Sequence, residues 1–140
     1  MAFAQEYAIT DICLLVKDTQ RSIDFYVDKL GFEINRRAEG FVEFNGAGLT
    51  LACWEIDHLS DNTGVSNAKA EGPHKACIAV RVPSPEAVDA SYAELKDKGV
   101  AFYGEPADYV WNARGAYFIG PDDELWEIYA WKDGGSMGNF

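Results

Sequence analysis

The sequence predicts an α+β fold built from two βαβββ modules, on three observations. "DICLLVKDTQRSIDFYVDKLGF" (11–32) and "CIAVRVPSPEAVDASYAELKDKGV" (77–100) share one plan: an apolar β-branched run, a helix-starting residue, a helical apolar pattern and a closing glycine. Ile78 stands 66 positions after Ile12 and Gly99 stands 68 after Gly31, a difference that a loop absorbs. Each unit is then followed by three short apolar runs separated by turn residues. Finally, 140 residues suffice for one domain, or two small modules sharing a core, but not for two independent domains of ordinary size.

The elements follow in order. In the first helix Asp18 is the N-cap, Ile23, Tyr26, Val27 and Leu30 form the apolar stripe at i, i+3, i+4 and i+7, and Gly31 is the stop. In the second, Ser84 caps, Pro85 occupies the first helical position, Val88, Tyr92 and Leu95 form the stripe, and Gly99 ends it. The strands expected after the first helix are "GFEIN", "GFVEFN" and "LTLACWE", with turns at 37–40 and at "NGAG" (45–48). Those after the second are "VAFYG", "GAYFIG" and "ELWEIYAW", with turns at "NARG" (112–115) and "GPDDE" (120–124). The expected organisation is one domain over 1–140: module one at 7–56, a linker or loop at 57–75, module two at 76–131 and a flexible Gly-rich tail at 132–140.

Composition excludes several classes. The chain is 48% hydrophobic and 25% charged, the balance of a soluble globular protein, and no apolar run approaches the ~20 residues needed to span a bilayer. A net charge of −11 without a basic cluster argues against nucleic acid. Cys13, Cys53 and Cys77 cannot all pair within one chain and form no C-x-x-C, so reduced thiols are expected. With no secretory pattern in "MAFAQEYAIT", the expected location is cytoplasmic.

"DICLLVKDTQRSIDFYVDKLGFE" and "GAYFIGPDDELWEIY" together resemble the vicinal oxygen chelate (VOC) superfamily, which includes glyoxalase I, bleomycin-resistance proteins and extradiol dioxygenases. The resemblance covers Tyr7 to Trp131 and implies the glyoxalase/bleomycin-resistance/dihydroxybiphenyl dioxygenase-like fold, a curled mixed sheet forming a cup with helices outside. It also implies a homodimer, which the need to cover open sheet edges supports physically. In metalloenzymes of this superfamily, ligands sit at the start of each module's first strand and in the middle of its last. The resemblance lays those positions on Asp11, Leu51, Cys77 and Glu127, of which only Glu127 matches the usual ligand type. A slip of one residue replaces Leu51 by Ala52.

Strand parity places side chains independently of the resemblance. If Ile12, Leu14 and Val16 face the first helix, Asp11, Cys13, Leu15 and Lys17 face the other way. Likewise Ile78, Val80 and Val82 turn to the second helix, leaving Cys77, Ala79 and Arg81 opposite. In "LWEIYAW", Trp126 and Ile128 pack under helices while Leu125, Glu127 and Tyr129 look inward. Cys53 joins the inward set if it shares phase with Leu51; small apolar lining is the better reading of the thiols, since no adjacent base activates them. Glu127, a carboxylate inside an apolar run, is the residue that needs an explanation.

Two explanations stand. Structurally, Glu127 pairs with Arg81 or Arg114 or bonds to backbone; chemically, it is a general base whose pKa is raised by burial. Tyr109 and Trp111 in "DYVWNARG" are expected at a hairpin tip, as lid residues able to stack a flat ligand. His58 and His74 are read as exposed loop residues; continuous strand parity turns His74 away from the Cys77 side, and only a bend before Lys75 would swing it inward. The preferred function is a bleomycin-resistance-type protein binding a small hydrophobic or planar ligand in a metal-free aromatic cup lined by Asp11, Cys13, Leu51, Cys53, Cys77, Arg81, Tyr109, Trp111, Glu127 and Tyr129. The alternative is a glyoxalase-like lyase or isomerase, or a dioxygenase, using Glu127 as base or a divalent Zn, Ni, Fe or Mn held by Glu127, Asp11, Cys77 or His74.

Overall fold

The helices that start at Thr19 and Pro85 each open with a side chain accepting from a first-turn backbone N–H, and these helices in turn decide which face of each sheet is buried. The computed structural model describes residues 3–6, 9–68 and 76–133. It divides into two units, 1–70 and 71–140.

The first unit opens with a short helical turn, α1 (Phe3–Glu6), and contains β1 (Asp11–Val16), α2 (Thr19–Ile23), β2 (Glu33–Ala38), β3 (Phe41–Asn45), β4 (Thr50–Glu55) and α3 (Ile56–Thr63). Its sheet runs β1-β4-β3-β2, with β1 and β4 parallel and the other neighbours antiparallel. Asp18 caps α2 by accepting from Gln20 N at 2.8 Å, and Glu55 Oε2 accepts from Thr19 N at 2.9 Å and Thr19 Oγ1 at 3.0 Å. After Ile23 the helix widens into a π-turn, Asp24–Lys29, in which Leu30 N donates to Phe25 O five residues back.

That extra residue per turn corrects the expected stripe. Ile23 and Tyr26 are buried as foreseen, but Phe25 joins them at 7% exposure while Val27 and Leu30 are only half-buried. Tyr26, fully buried, lies 5.0 Å from the ring of Phe25 and 5.7 Å from that of Phe44. Gly31 ends the element at φ 84°, the left-handed conformation that glycine adopts without penalty.

The second unit contains β5 (Cys77–Arg81), α4 (Pro85–Asp97), β6 (Ala101–Phe102), β7 (Ala107–Tyr109), β8 (Ala113–Ile119) and β9 (Leu125–Trp131). The order is β5-β9-β8-β6, with β5 parallel to β9 and β7 also paired to β8. Ser84 Oγ accepts from Ala87 N at 3.2 Å to start α4, which packs on β8 and β9 through fully buried Val88. Trp126, Ile128, Ala116 and Phe118 are buried, the rings of Phe118 and Trp126 stacking at 5.7 Å. The first unit thus has the βαβββ order, and the second has it with one further strand, β7, ahead of β8, in an α+β fold of mixed sheets.

Two expectations change. Part of the stretch expected as linker forms α3, whose His58 accepts at Nδ1 from Trp54 Nε1 at 3.0 Å; His58 is half-buried rather than an exposed loop residue. Gly40 lies so close beneath His58 that a Cβ there would meet the His58 Cβ at 2.9 Å. The expected "NARG" turn is instead the three-residue loop Val110–Asn112 between β7 and β8, with Asn112 at φ 64° and Ala113 already in the strand. His74, the remaining linker residues 69–75 and tail residues 134–140 lie outside the described residues.

The caps make a direct prediction. Ser84→Ala and Asp18→Ala should each lower the unfolding free energy by about 1 kcal/mol in urea titrations. Unchanged midpoints in both variants would remove the caps from the account.

Candidate functional site

The open face of the second sheet is assembled by strand alternation. Along β9, Trp126, Ile128 and Ala130 are buried under α4's side while Leu125, Glu127, Tyr129 and Trp131 are half-buried on the other. Across β8, Glu127 pairs with Tyr117, Tyr129 with Gly115, and Trp131 with Ala113; across β5, Glu127 pairs with Ala79 and Tyr129 with Arg81. Paired residues share a face, so the parity expected for Cys77, Ala79, Arg81, Leu125, Glu127 and Tyr129 holds.

This register hands Glu127 its partner. Tyr117 Oη donates to Glu127 Oε2 at 2.8 Å, so neither Arg81 nor Arg114 takes the role expected from sequence. Arg114 points to the helix side, where it bonds Asp89 at 2.8 Å and Asp108 at 3.0 Å. Burial, then the hydrogen bond to Glu127 and the carboxylate's charge, push the Tyr117 phenol far above the ordinary tyrosine range. Partial desolvation and the same charge raise the thiol of Cys77, whose side chain is exposed. Cys13 is raised likewise, by burial and by Asp11.

Aromatic rings share the face with this pair. Tyr109 stacks on Trp111 with centroids 4.7 Å apart and planes 5° apart, and meets Tyr117 edge-on at 6.2 Å. Tyr129 and Trp131 lie 5.2 Å apart. Tyr109 is therefore a strand residue covering Gly115 and Ala113, not part of the tip; at the tip, Val110 is 75% exposed while Trp111 folds back on Tyr109. Gly115 forms the floor: a Cβ there would lie 3.5 Å from Tyr109 Cε2 and 3.7 Å from Glu127 Oε2.

The first sheet corrects two site residues. In β1–β4, Ile12 pairs with Leu51 and Leu14 with Cys53, whereas Cys13 pairs with Ala52. Leu51 and Cys53, 1% and 0% exposed, are therefore core residues on the helix side with Val42 and Phe44. Ala52 is the counterpart of Glu127, because Cys13–Ala52 occupies the place that Ala79–Glu127 has in the second unit. One residue of register exchanges the two faces. Asp11 and Cys13 are exposed at the other side as expected, Asp11 accepting from the Thr10 hydroxyl.

Glu43 is the residue that sequence reasoning passed over. It pairs with Ala52 as Tyr117 pairs with Glu127, and it accepts from Asn35 Nδ2 at 2.6 Å and Arg36 Nη2 at 3.0 Å. The signal was available: "FVEFN" sets an acid within an apolar strand as "LWEIY" does. Glu43 also borders a shallow pocket of ≈ 570 Å³ at the end of the first sheet, with Thr10, Asn35, Asn45 and Thr50.

The superfamily's four ligand positions thus carry Asp11, Ala52, Cys77 and Glu127. Ala52 has no donor, none of the four is an imidazole, and Glu127 Oε2 is bonded to Tyr117. Among the described residues no three His, Cys, Asp or Glu side chains are grouped to hold a metal ion. This donor set does not fit an imidazole-based divalent site.

Comparison with known proteins gives the wider frame. A family model described as Glyoxalase/Bleomycin resistance protein/Dioxygenase superfamily matches residues 8–128. The uncharacterized protein YraH of Bacillus subtilis (strain 168) is 30% identical over 124 residues, covering 86% of this chain and 96% of that one. The crystal structure of a glyoxalase/bleomycin resistance protein/dioxygenase from Nocardioides is 40% identical with a TM-score of 0.87, covering 96% of this chain and 90% of the other. Lactoylglutathione lyase from Agrobacterium tumefaciens shares the fold at 17% identity and TM-score 0.71, covering 88% and 92%.

Tyr117 makes the pair measurable. In an ultraviolet titration of the phenols, Glu127→Gln should lower the ionisation of one tyrosine toward its ordinary value of 10.0. Because the folded value is raised, the associated stability is present below pH 10 and lost as the pH climbs beyond it. Identical tyrosine titrations in the two proteins would contradict the Tyr117–Glu127 bond.

Proposed function

Because the chain belongs to the Glyoxalase/Bleomycin resistance protein/Dioxygenase superfamily, whose scaffold hosts many activities, we propose its function from the site: it binds a small, partly planar molecule on the open face of the second sheet, without a metal. The observation that carries this reading is the half-buried Glu127 carboxylate, fixed by Tyr117 on a face that it shares with Tyr109, Tyr129 and Trp131, with Trp111 stacked on Tyr109. Rings give a ligand large contact area at small entropic cost, and a single fixed polar group orients it. Arg81 and Cys77 belong to the same face, and Ala79 keeps the space beside Glu127 small-walled.

A second reading rests on the Tyr117–Glu127 bond itself. A carboxylate beside a phenol held in its neutral form is an acid–base pair: Glu127 takes a carbon-bound proton, and the Tyr117 O–H, released from the carboxyl that has become neutral, turns to donate to the oxygen that gains charge. That chemistry suits an isomerase, epimerase or lyase of the glyoxalase-like kind. The two readings separate on Glu127→Gln, which ends turnover in the second and only changes affinity in the first.

We also infer a cytoplasmic homodimer. The support is physical: β1 and β2 in the first sheet, and β5 in the second, each have one side unpaired within their own unit, and Leu15 and Val80 on two of these strands are exposed. None of Cys13, Cys53 and Cys77 is in a disulfide. Among the described residues, no helix is long and apolar enough to cross a membrane. A monomer mass in equilibrium sedimentation at micromolar concentration would remove the dimer.

Two measurements test the binding reading. A thermal-shift screen of one- and two-ring aromatic compounds should yield hits whose affinity falls by roughly 1–3 kcal/mol in Trp111→Ala; hits unaffected by that change would place binding elsewhere. Metal analysis of protein purified without a histidine tag should find far less than one equivalent of Zn, Ni, Fe or Mn. A near-stoichiometric metal lost in Glu127→Ala would overturn the metal-free reading.

A further inference from the structure

The charge on this face narrows the ligand further than its shape does. Glu127 uses Oε2 for Tyr117, and no hydrogen bond to its Oε1 is found among the described residues. Tyr109 and Tyr129 share its face, and the quadrupole of an aromatic ring attracts positive charge over the π-face and repels negative charge there. Tyr109 and Trp111 already stack nearly parallel, so a flat group has an aromatic surface to extend. A Cβ added at Gly115 would stand in van der Waals contact with both Tyr109 Cε2, at 3.5 Å, and Glu127 Oε2, at 3.7 Å. The only cation that the register places on this face is Arg81, on the outer strand β5 opposite Tyr129, and no ion pair ties it to Glu127 among the described residues.

The first unit supplies an internal contrast. There the corresponding pair of positions holds Glu43 and Ala52, and Glu43 is neutralised by Arg36 at 3.0 Å. No aromatic ring replaces that arginine's charge in the second unit: Tyr117 donates a hydrogen bond but brings no cation. Among the described residues the acid of the second unit therefore has no ion-pair partner, on a face that it shares with aromatic rings.

We propose that this site selects a planar cation, of the aryl amidinium or protonated heteroaromatic amine class, with its N–H groups donating to Glu127 Oε1 and its ring lying against Tyr109. This inference rests on the binding reading above and adds the sign of the ligand's charge. Gly115 is the specificity-determining residue, because a side chain there would stand against both the Tyr109 ring and the Glu127 carboxylate.

Three isosteric probes test it on the full-length protein, read by intrinsic tryptophan fluorescence and calorimetry: benzamidine (cation), benzamide (neutral) and benzoate (anion). Benzamidine should bind about tenfold more tightly than benzamide, with benzoate weakest. Glu127→Gln should bring benzamidine and benzamide to equal affinity. Gly115→Ala, whose new methyl meets neighbours at 3.4 Å or more and so leaves the fold intact, should weaken benzamidine severalfold. Equal binding of benzamidine and benzamide by the unmutated protein would overturn charge selection while leaving the planar-ligand reading in place. Tightest binding of benzoate would overturn it too and assign the face to Arg81. Saturable binding of none of the three would count against both readings.

Discussion

A carboxylate on the face of a sheet, between aromatic rings, is stable there only if a donor is already in place, and the bond from Tyr117 to Glu127 is that donor. Neither residue is free to choose the other. The β8–β9 register sets them directly opposite, at the separation at which a phenol reaches a glutamate. Their neighbours on the same face are small, Ala79 on one side and Gly115 diagonally across, so the rings of Tyr109 and Tyr129 close around the pair without crowding it. The site is thus the product of one pairing, two small residues and a hairpin, β7–β8, that carries Tyr109 and Trp111 back over the strand.

The duplicated plan makes the site's chemistry easier to understand. Both units place an acid at the centre of the open face, but on different strands: Glu43 on β3 facing Ala52, Glu127 on β9 facing Tyr117. The same pair of backbone positions is used, with the acid moved from one strand to its neighbour. The first acid is held by Arg36 and Asn35 from β2 and is charge-compensated; the second is held by a neutral phenol. An Arg–carboxylate pair stabilises an arrangement already complete, whereas a carboxylate with one oxygen bonded still has an oxygen to offer. That difference is why the candidate site is assigned to the second unit.

What the sequence carried legibly was local. Asp18 and Ser84 as caps, Gly31 and Gly99 as stops and the alternation in "LWEIYAW" each depend on a few neighbouring residues, and each is found in the structure. What it hid depends on longer-range competition. The π-turn that brings Phe25 into the core answers packing against the sheet, not helix periodicity. Helix α3 is polar and buries no residue fully, so it left no apolar stripe to read. The choice between Leu51 and Ala52 needed the β1–β4 register, where a single step moves a side chain from the core to the open face. Glu127 stood out by its setting in an apolar strand; its partner did not, because opposite charge suggested arginine and only the β8–β9 pairing reveals tyrosine.

The account turns on whether Tyr117 and Glu127 act as one unit. A double-mutant cycle with Tyr117→Phe, Glu127→Gln and the combined variant, read as unfolding free energies in urea, measures that directly. A coupling of about 1–2 kcal/mol between the two substitutions is the predicted result for a part-buried, charge-assisted hydrogen bond. Strict additivity would show that the two side chains do not depend on each other, and the site built around them would have no foundation.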